Sequence, residues 1–342
     1  MVGFNMRHMN IFRTMKEIAD SGAIGEIRAV WVRHFVGSGG RWYFHDWHAN
    51  RKTSTSLLLQ KASHDIDMIH WITGKYTRRV AAFGSLDFYG GNKPNKLECP
   101  SCPEKDTCTE YQEWPHHQFC CFRKEVSVED NSMMMMELDT GIKATYTQCH
   151  FTPDYFRNYT FIGTEGRIEN MDDSTKVICL TRTLSKKSKN LANRTYDVKP
   201  AEGSHGGADP EICKDFIDMI TTGKYPVSTP AAGRMSVAVG CAATESLRHG
   251  GKVIAIFKTD HRDRLGPQAS DDPGGIHGGI ASADDNDFPL GIENCFILLS
   301  LLQKFNTVID TVQILAIDTE PAAQRRADTD ENRIVIAAYS VE

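Results

Sequence analysis

The chain has 342 residues, more than one ordinary domain of roughly 100–200 residues, and its 40% hydrophobic and 24% charged content is ordinary globular usage. A formal net charge of −5 gives no reason to expect a nucleic acid or a membrane surface as partner. The N-terminus lacks a basic region followed by an apolar stretch and a small-residue cleavage site, so a cytoplasmic location is expected, with the ten scattered cysteines as free thiols.

In chain order, residues 10–21 carry Phe12, Met15, Ile18 and Ala19 at helical steps, with Gly22 as a stop. Residues 27–36 alternate like a half-buried strand. The connection 37–51 is unusually aromatic and ionisable, with Arg41, Trp42, Tyr43, His45, Asp46, Trp47 and His48. Its tryptophans either cover the sheet or stack on a polar ligand.

Residues 57–71, LLLQKASHDIDMIHW, predict a single helix. The run 53–56 supplies capping oxygens, and Gly74 supplies the left-handed stop. Leu59, Ala62, Ile66 and Ile69 form an apolar stripe, while Gln60, Lys61, His64 and Asp67 form a polar one. His64 can accept a proton near neutral pH, because an imidazole titrates at about 6.5. Asp67 is placed to orient the ring, and Lys61 to disfavour its cation. The bland alternative is a solvated helix face.

Residues 79–89 predict a second strand, interrupted by a Cys-rich insertion at 92–125. No complete metal motif is present. The nearest is a zinc candidate of Cys99, Cys102, Cys108 and Cys120, with Cys121, His116 and His117 nearby, set against a solvated Pro-flanked loop. Strands follow at 132–138, 142–151, 155–162, 167–171 and 177–181, close enough in sequence to favour antiparallel pairing. Met133, Met134, Met135 and Met136 read as strand packing.

Asp209-Pro210 and Thr229-Pro230 each predict a capped helix start. The first helix sets Ile212, Phe216, Met219 and Ile220 on one face, and the second turns Met235, Val239, Ala242 and Leu247 to the core. A short strand at 252–257 closes the regular part. The expected class is α+β, an open antiparallel sheet with helices packed on one face and a poorly ordered C-terminal extension. That extension divides into a Gly/Asp/Ser/Pro-rich linker at 258–291 and an amphipathic segment at 292–342 whose charged residues rule out a membrane span.

Several stretches together resemble the Gfo/Idh/MocA oxidoreductases: VGFNMRH at 2–8, SGAIGEI at 21–27, DWHANRKTSTSLLLQKASHDIDMIHWITG at 46–74, FIGTEGRIE at 161–169 and the run 205–253. The resemblance covers residues 2–256 and implies a substrate-side and oligomerisation domain at 1–257. Members pair such a domain with a Rossmann domain and transfer hydride between NAD or NADP and a sugar or polyol hydroxyl. It implies His64 and Lys61 as catalytic residues, Asn5 and Arg7 on the nicotinamide side, and Trp47, His48, Gln60 and Asp67 at the substrate. Gln60 stands where the family commonly has aspartate and supplies no negative charge.

The sequence holds no GxGxxG between a strand and a helix, and no Glu-Lys-Pro before residue 2. The chain is therefore expected to be the substrate-side domain alone, with NAD(H) held no better than about 1 mM, near −4 kcal/mol. The alternative is a non-catalytic binding module. In either case the sheet is expected to build a homo-oligomer.

Overall fold

Among the described residues, the alternation seen in the sequence builds one open nine-stranded sheet. The structure, a computed structural model, describes residues 1–257 except 38, 114–118, 172–174, 183–191 and 200. The expectations for 258–342, and for His116 and His117, lie outside the described residues. The elements are α1 (Asn10–Asp20), β1 (Ile27–Phe35), α2 (Arg51–Ser54), α3 (Leu57–Gln60), α4 (Ala62–Thr73), β2 (Thr77–Ser85), β3 (Asn131–Leu138), β4 (Lys143–Cys149), β5 (Phe156–Gly163), β6 (Gly166–Asn170), β7 (Lys176–Thr181), β8 (Ala192–Asp197), α5 (Ser204–Thr222), α6 (Pro230–Arg248) and β9 (Ile254–Ala255).

The strand order is β8-β7-β6-β5-β1-β4-β3-β2-β9. Every pairing is antiparallel except β1 with β4, whose connection carries α2, α3, α4, β2 and β3. A parallel pair needs a crossover of that kind, and local strand spacing does not reveal it.

One face of the sheet is buried through Val30, Val32, Val80, Ala82, Met134, Met136, Ala144, Tyr146, Tyr159 and Phe161. The helices cover it, with α6 against β2, α4 against β1, and α1 against β6 and β7. The opposite face is open. Trp31 is 57% exposed, Phe83 55%, Met133 52% and Met135 61%, so only alternate methionines of the Met run pack inward.

The helix expected over 57–71 is interrupted. Ser56 Oγ accepts from the Leu59 amide at 3.0 Å and starts α3, and Gly74 at φ 64° ends α4, both as expected. Between them Lys61 sits at φ −105°, and the His64 amide donates to Lys61 O at 3.3 Å, a three-residue step that tightens the chain. The break brings Lys61 to the point where two helices meet.

His205, Gly206 and Gly207 adopt left-handed backbone at the head of α5, so its right-handed part begins after Gly207 and Pro210 falls in the first turn, near the expected start. Asp209 accepts from His205 Nδ1 at 2.9 Å instead of capping. The apolar face of α5 is largely open, with Phe216 49% and Ile220 64% exposed. The Thr229-Pro230 start holds: Thr229 Oγ1 accepts from the Ala232 amide at 3.1 Å.

Helix α6 crosses α3 at very close range. A Cβ on Gly240 would lie 2.9 Å from Leu58 O and 2.9 Å from Leu59 Cα, both backbone atoms that cannot turn aside. Gly240→Ala should therefore push α3 outward and lower unfolding stability by about 1–3 kcal/mol in urea titration. An unchanged midpoint would show that the helices do not approach this closely.

Candidate functional site

Lys61 at the helix break and His64 one turn later share the start of α4. Lys61 Nζ lies 5.7 Å from the centre of the Tyr43 ring, a cation–π distance. Burial lowers its amine, Arg157 lowers it further, and Asp65 opposes both, leaving its pKa at about 8. The His64 ring meets Phe4 edge-on at 5.4 Å. Gln60 turns a buried Oε1 with no hydrogen-bond partner toward the interior.

The aromatic connection supplies the neighbouring wall. A π-helical turn, Gly40–Phe44, and a 3-10 turn, Trp47–Ala49, replace the expected open loop. Asp46 Oδ1 accepts from the His48 amide at 2.9 Å and stands 2.6 Å from His48 Nδ1, fixing that ring. Trp47 stacks on His48 at 3.8 Å, and Tyr43 meets His48 at 5.3 Å and His150 at 5.1 Å. Tyr43 thus joins Trp47 and His48 to Lys61. His150 is fully buried with neither ring nitrogen hydrogen-bonded, and it senses the charges of His34, Lys61 and His48.

Asp67 and Arg7 are placed differently from expectation. Apart from His64, Trp71 and Thr73, all of α4 is buried, so its carboxylates need cations rather than water. Arg7 Nε donates to Asp67 Oδ2 at 2.7 Å and Nη2 to Oδ1 at 2.7 Å, so both Asp67 oxygens are engaged. Arg7 Nη1 donates to Val227 O at 2.6 Å, and the guanidinium lies 5.6 Å from the Trp71 ring centre. This pair ties the 3-10 turn Asn5–His8 to α4. Asn5 is half-buried at the start of that turn.

The charge centre of the site is Asp65, which the sequence reading passed over. Its side chain is wholly buried. Arg157 Nε donates to Oδ1 at 2.8 Å, Tyr159 OH donates to the same oxygen, and Tyr146 OH donates to Oδ2 at 3.0 Å. His34 Nδ1 stands 3.3 Å from Oδ2. Burial alone would push this carboxyl up, but Arg157, His34 and Tyr159 hold it far below the usual carboxylate range. Strand alternation was the available signal. The inward positions that begin with Val30, Val32 and Ala144 continue with His34 on β1 and with Tyr146 and Gln148 on β4. Polar groups on an inward face require partners there.

The cysteines Cys99, Cys102, Cys108 and Cys120 are all free thiols. Among the described residues, no three His, Cys, Asp or Glu side chains are gathered closely enough to hold a metal ion as they stand. No described helix is long and apolar enough to cross a membrane.

A family model for the C-terminal alpha/beta domain of the Gfo/Idh/MocA oxidoreductase family matches residues 16–255. The chain belongs to this family. An oxidoreductase-named protein of Bacillus subtilis, YteT, is 26% identical over 278 residues, covering 70% of this chain and 65% of its own length. The fold also matches a levoglucosan dehydrogenase solved with NADH and levoglucosan: TM-score 0.59, 18% identity, over 76% of this chain and 66% of that one. An oxidoreductase structure from Thermotoga maritima matches with a TM-score of 0.51 and 21% identity, over 74% of this chain and 62% of that one. The chain thus spans just under two thirds of each relative. At these identities the two solved structures support the family's fold alone.

Burial, then Arg157, lowers the His34 pKa to about 4 against Asp65. Between an unfolded value of about 6.5 and 4, the unfolded chain binds a proton that the native chain refuses, so stability falls as pH drops through that window. His34 should account for up to about 3 kcal/mol of this loss. Urea midpoints taken from pH 7 to 4.5 should decline, and His34→Gln should flatten the slope; an equal slope in the variant would refute the assignment.

Proposed function

We propose that the chain is the substrate-side domain of an oxidoreductase that transfers hydride between NAD or NADP and a sugar or polyol hydroxyl. The observation that carries this reading is the pairing of Lys61, its amine drawn down to about 8, with His64 one turn away at the start of α4. Unpaired buried acceptors and donors on Gln60 and His150 lie in the same region, as suits a ligand rich in hydroxyls. His64 takes the hydroxyl proton, while Lys61 and Gln60 hydrogen-bond and orient the hydroxyl. Trp47 and His48 offer a stacked apolar face to a sugar ring.

The nicotinamide's part is to accept hydride from the carbon that bears the hydroxyl. Arg7 is an unsuitable ligand for it, because the guanidinium is buried and engaged with Asp67 and Val227. Asn5 and His64 are the residues that would meet its nicotinamide end. Asp67 has its two oxygens occupied and acts through the Arg7 pair rather than at the substrate. The dinucleotide's pyrophosphate has no Gly-rich turn in this sequence, so this chain by itself should hold NADH no better than about 1 mM.

Joined to a dinucleotide-binding domain of the same family, the chain should oxidise polyols, and His64→Ala should lower turnover about 10²–10⁴-fold with nucleotide affinity retained. Undiminished turnover would remove His64 from the mechanism. Micromolar NADH binding by the 342 residues alone would mean that they contain their own nucleotide site.

The open sheet face favours a second role as a self-association surface. Trp31 and Met135 stand in one cross-strand row through Thr145, and Phe83 and Met133 pair directly in the next. We expect a second copy of the chain to cover this apolar face in a homo-oligomer. Light scattering at about 50 µM, well above a micromolar association worth ~8 kcal/mol, should report a dimer or larger species that Met135→Glu dissociates. A clean monomer at that concentration would overturn this surface assignment.

A further inference from the structure

Three basic side chains surround the buried ring of Tyr43. The His150 ring lies 5.1 Å from its centre, the His48 ring 5.3 Å and Lys61 Nζ 5.7 Å. They come from separate stretches: His48 from the turn Trp47–Ala49, Lys61 from the junction of α3 and α4, and His150 from the residue after β4.

Two carboxylates bear on the same ring, Asp65 and Asp46, and each is already taken. Asp46 Oδ1 stands 2.6 Å from His48 Nδ1. Asp65 Oδ1 stands 2.7 Å from Arg157 Nη2, and Asp65 Oδ2 accepts from Tyr146 OH at 3.0 Å. Seen from Lys61, the second pair is net positive, because the lowering of its amine by Arg157 outweighs the raising by Asp65. Among the described residues, no Asp or Glu lies within ion-pair distance of Lys61, and Gln60 directly before it is uncharged.

Lys61 is half-buried, and the face of the Tyr43 ring is its close contact. An ammonium drawn out of water without a counter-ion is costly, and a ring face recovers only part of that cost. His150 gives a second sign of the same shortage. It is wholly buried with both ring nitrogens unpartnered, and the charges that bear on it, from His34, Lys61 and His48, are all positive. Lys61 is thus the cation of the site without an anion of its own.

We propose that the substrate brings that anion: the site takes a sugar acid, and Lys61 pairs with a carboxylate on the same sugar whose hydroxyl is oxidised. This rests on the reading of the region as a sugar or polyol site and narrows it. An ammonium carries three N–H donors, so Lys61 holds the reacting hydroxyl with one and the carboxylate with another. The bond to the carboxylate is charge-assisted and only half exposed to water, which makes Lys61 the residue that separates acidic from neutral sugars. The guanidinium groups that face α4, Arg157 and Arg7, are committed to Asp65 and Asp67. Lys61 therefore meets the ligand without a bidentate partner, which suits a singly charged carboxylate better than a dianionic phosphate.

The test is isothermal titration of the folded 342-residue chain with matched probes: D-glucuronate and D-galacturonate, their parent hexoses, and the corresponding hexose phosphates. At about pH 7 a uronate should bind about tenfold or more tighter than its parent sugar. The ratio should fall toward one by about pH 10, as Lys61 loses its proton through its value of about 8 while the carboxylate keeps its charge. Lys61→Gln should abolish the preference at neutral pH with the circular-dichroism spectrum unchanged, and the pH series on the parent chain checks the same point without any substitution. Equal binding of uronate and parent sugar would overturn the proposal and leave the sugar site standing. Tighter binding of a hexose phosphate than of the uronate would also overturn it, by assigning the amine to phosphate. No binding of any probe up to about 100 mM would remove the sugar-site reading itself, and this proposal with it.

Discussion

The buried carboxylate of Asp65 is the constraint on which the rest of the site depends. It leaves α4 and enters a layer built by three adjacent strands, β5, β1 and β4, whose register sets Val32 between Tyr159 and Tyr146 and His34 between Arg157 and Gln148. An ion this deep is tolerable only because a guanidinium and two phenols face it, and withdrawing one partner of such a pair commonly costs about 3–5 kcal/mol. Its value lies in registry. The helix can sit in one rotational setting only, and that setting decides where Lys61 and His64 emerge.

Asp67 repeats the device two residues later in a different direction. Its partner Arg7 comes from the N-terminal turn, so one buried helix is tethered by carboxylates both to the sheet and to the first residues of the chain. The two pairs resemble each other electrostatically and differ in consequence. Asp65 lies among groups that influence Lys61, whereas Asp67 closes on Arg7, in the turn that follows Phe4, whose ring meets His64.

The sheet shows how one element can serve two faces. Strict alternation places Met134 and Met136 in the core and Met133 and Met135 in the open, so the same strand packs helices on one side and presents an apolar surface on the other. The long excursion between β2 and β3 holds the aromatic turn, with Phe119 O beside His45, Tyr89 OH on the Gly40 amide and Arg123 on Phe44 O.

The sequence by itself determined the class of the fold, because hydrophobic periodicity is local. The alternating strands, α1, the Ser56 cap, the Gly74 stop and the Thr229-Pro230 start all depend on residues within a few positions of one another. The family motifs drew Lys61 and His64 into the candidate site for the same reason. Tertiary structure alone decided the parallel β1–β4 pair, the break at Lys61, the closure of Arg7 on Asp67 and the charge centre at Asp65. Each of these joins residues 60 or more positions apart, or depends on such a junction. A polar residue at an inward strand position signals that a partner must exist; which partner reaches it is set by packing, and no local pattern encodes that.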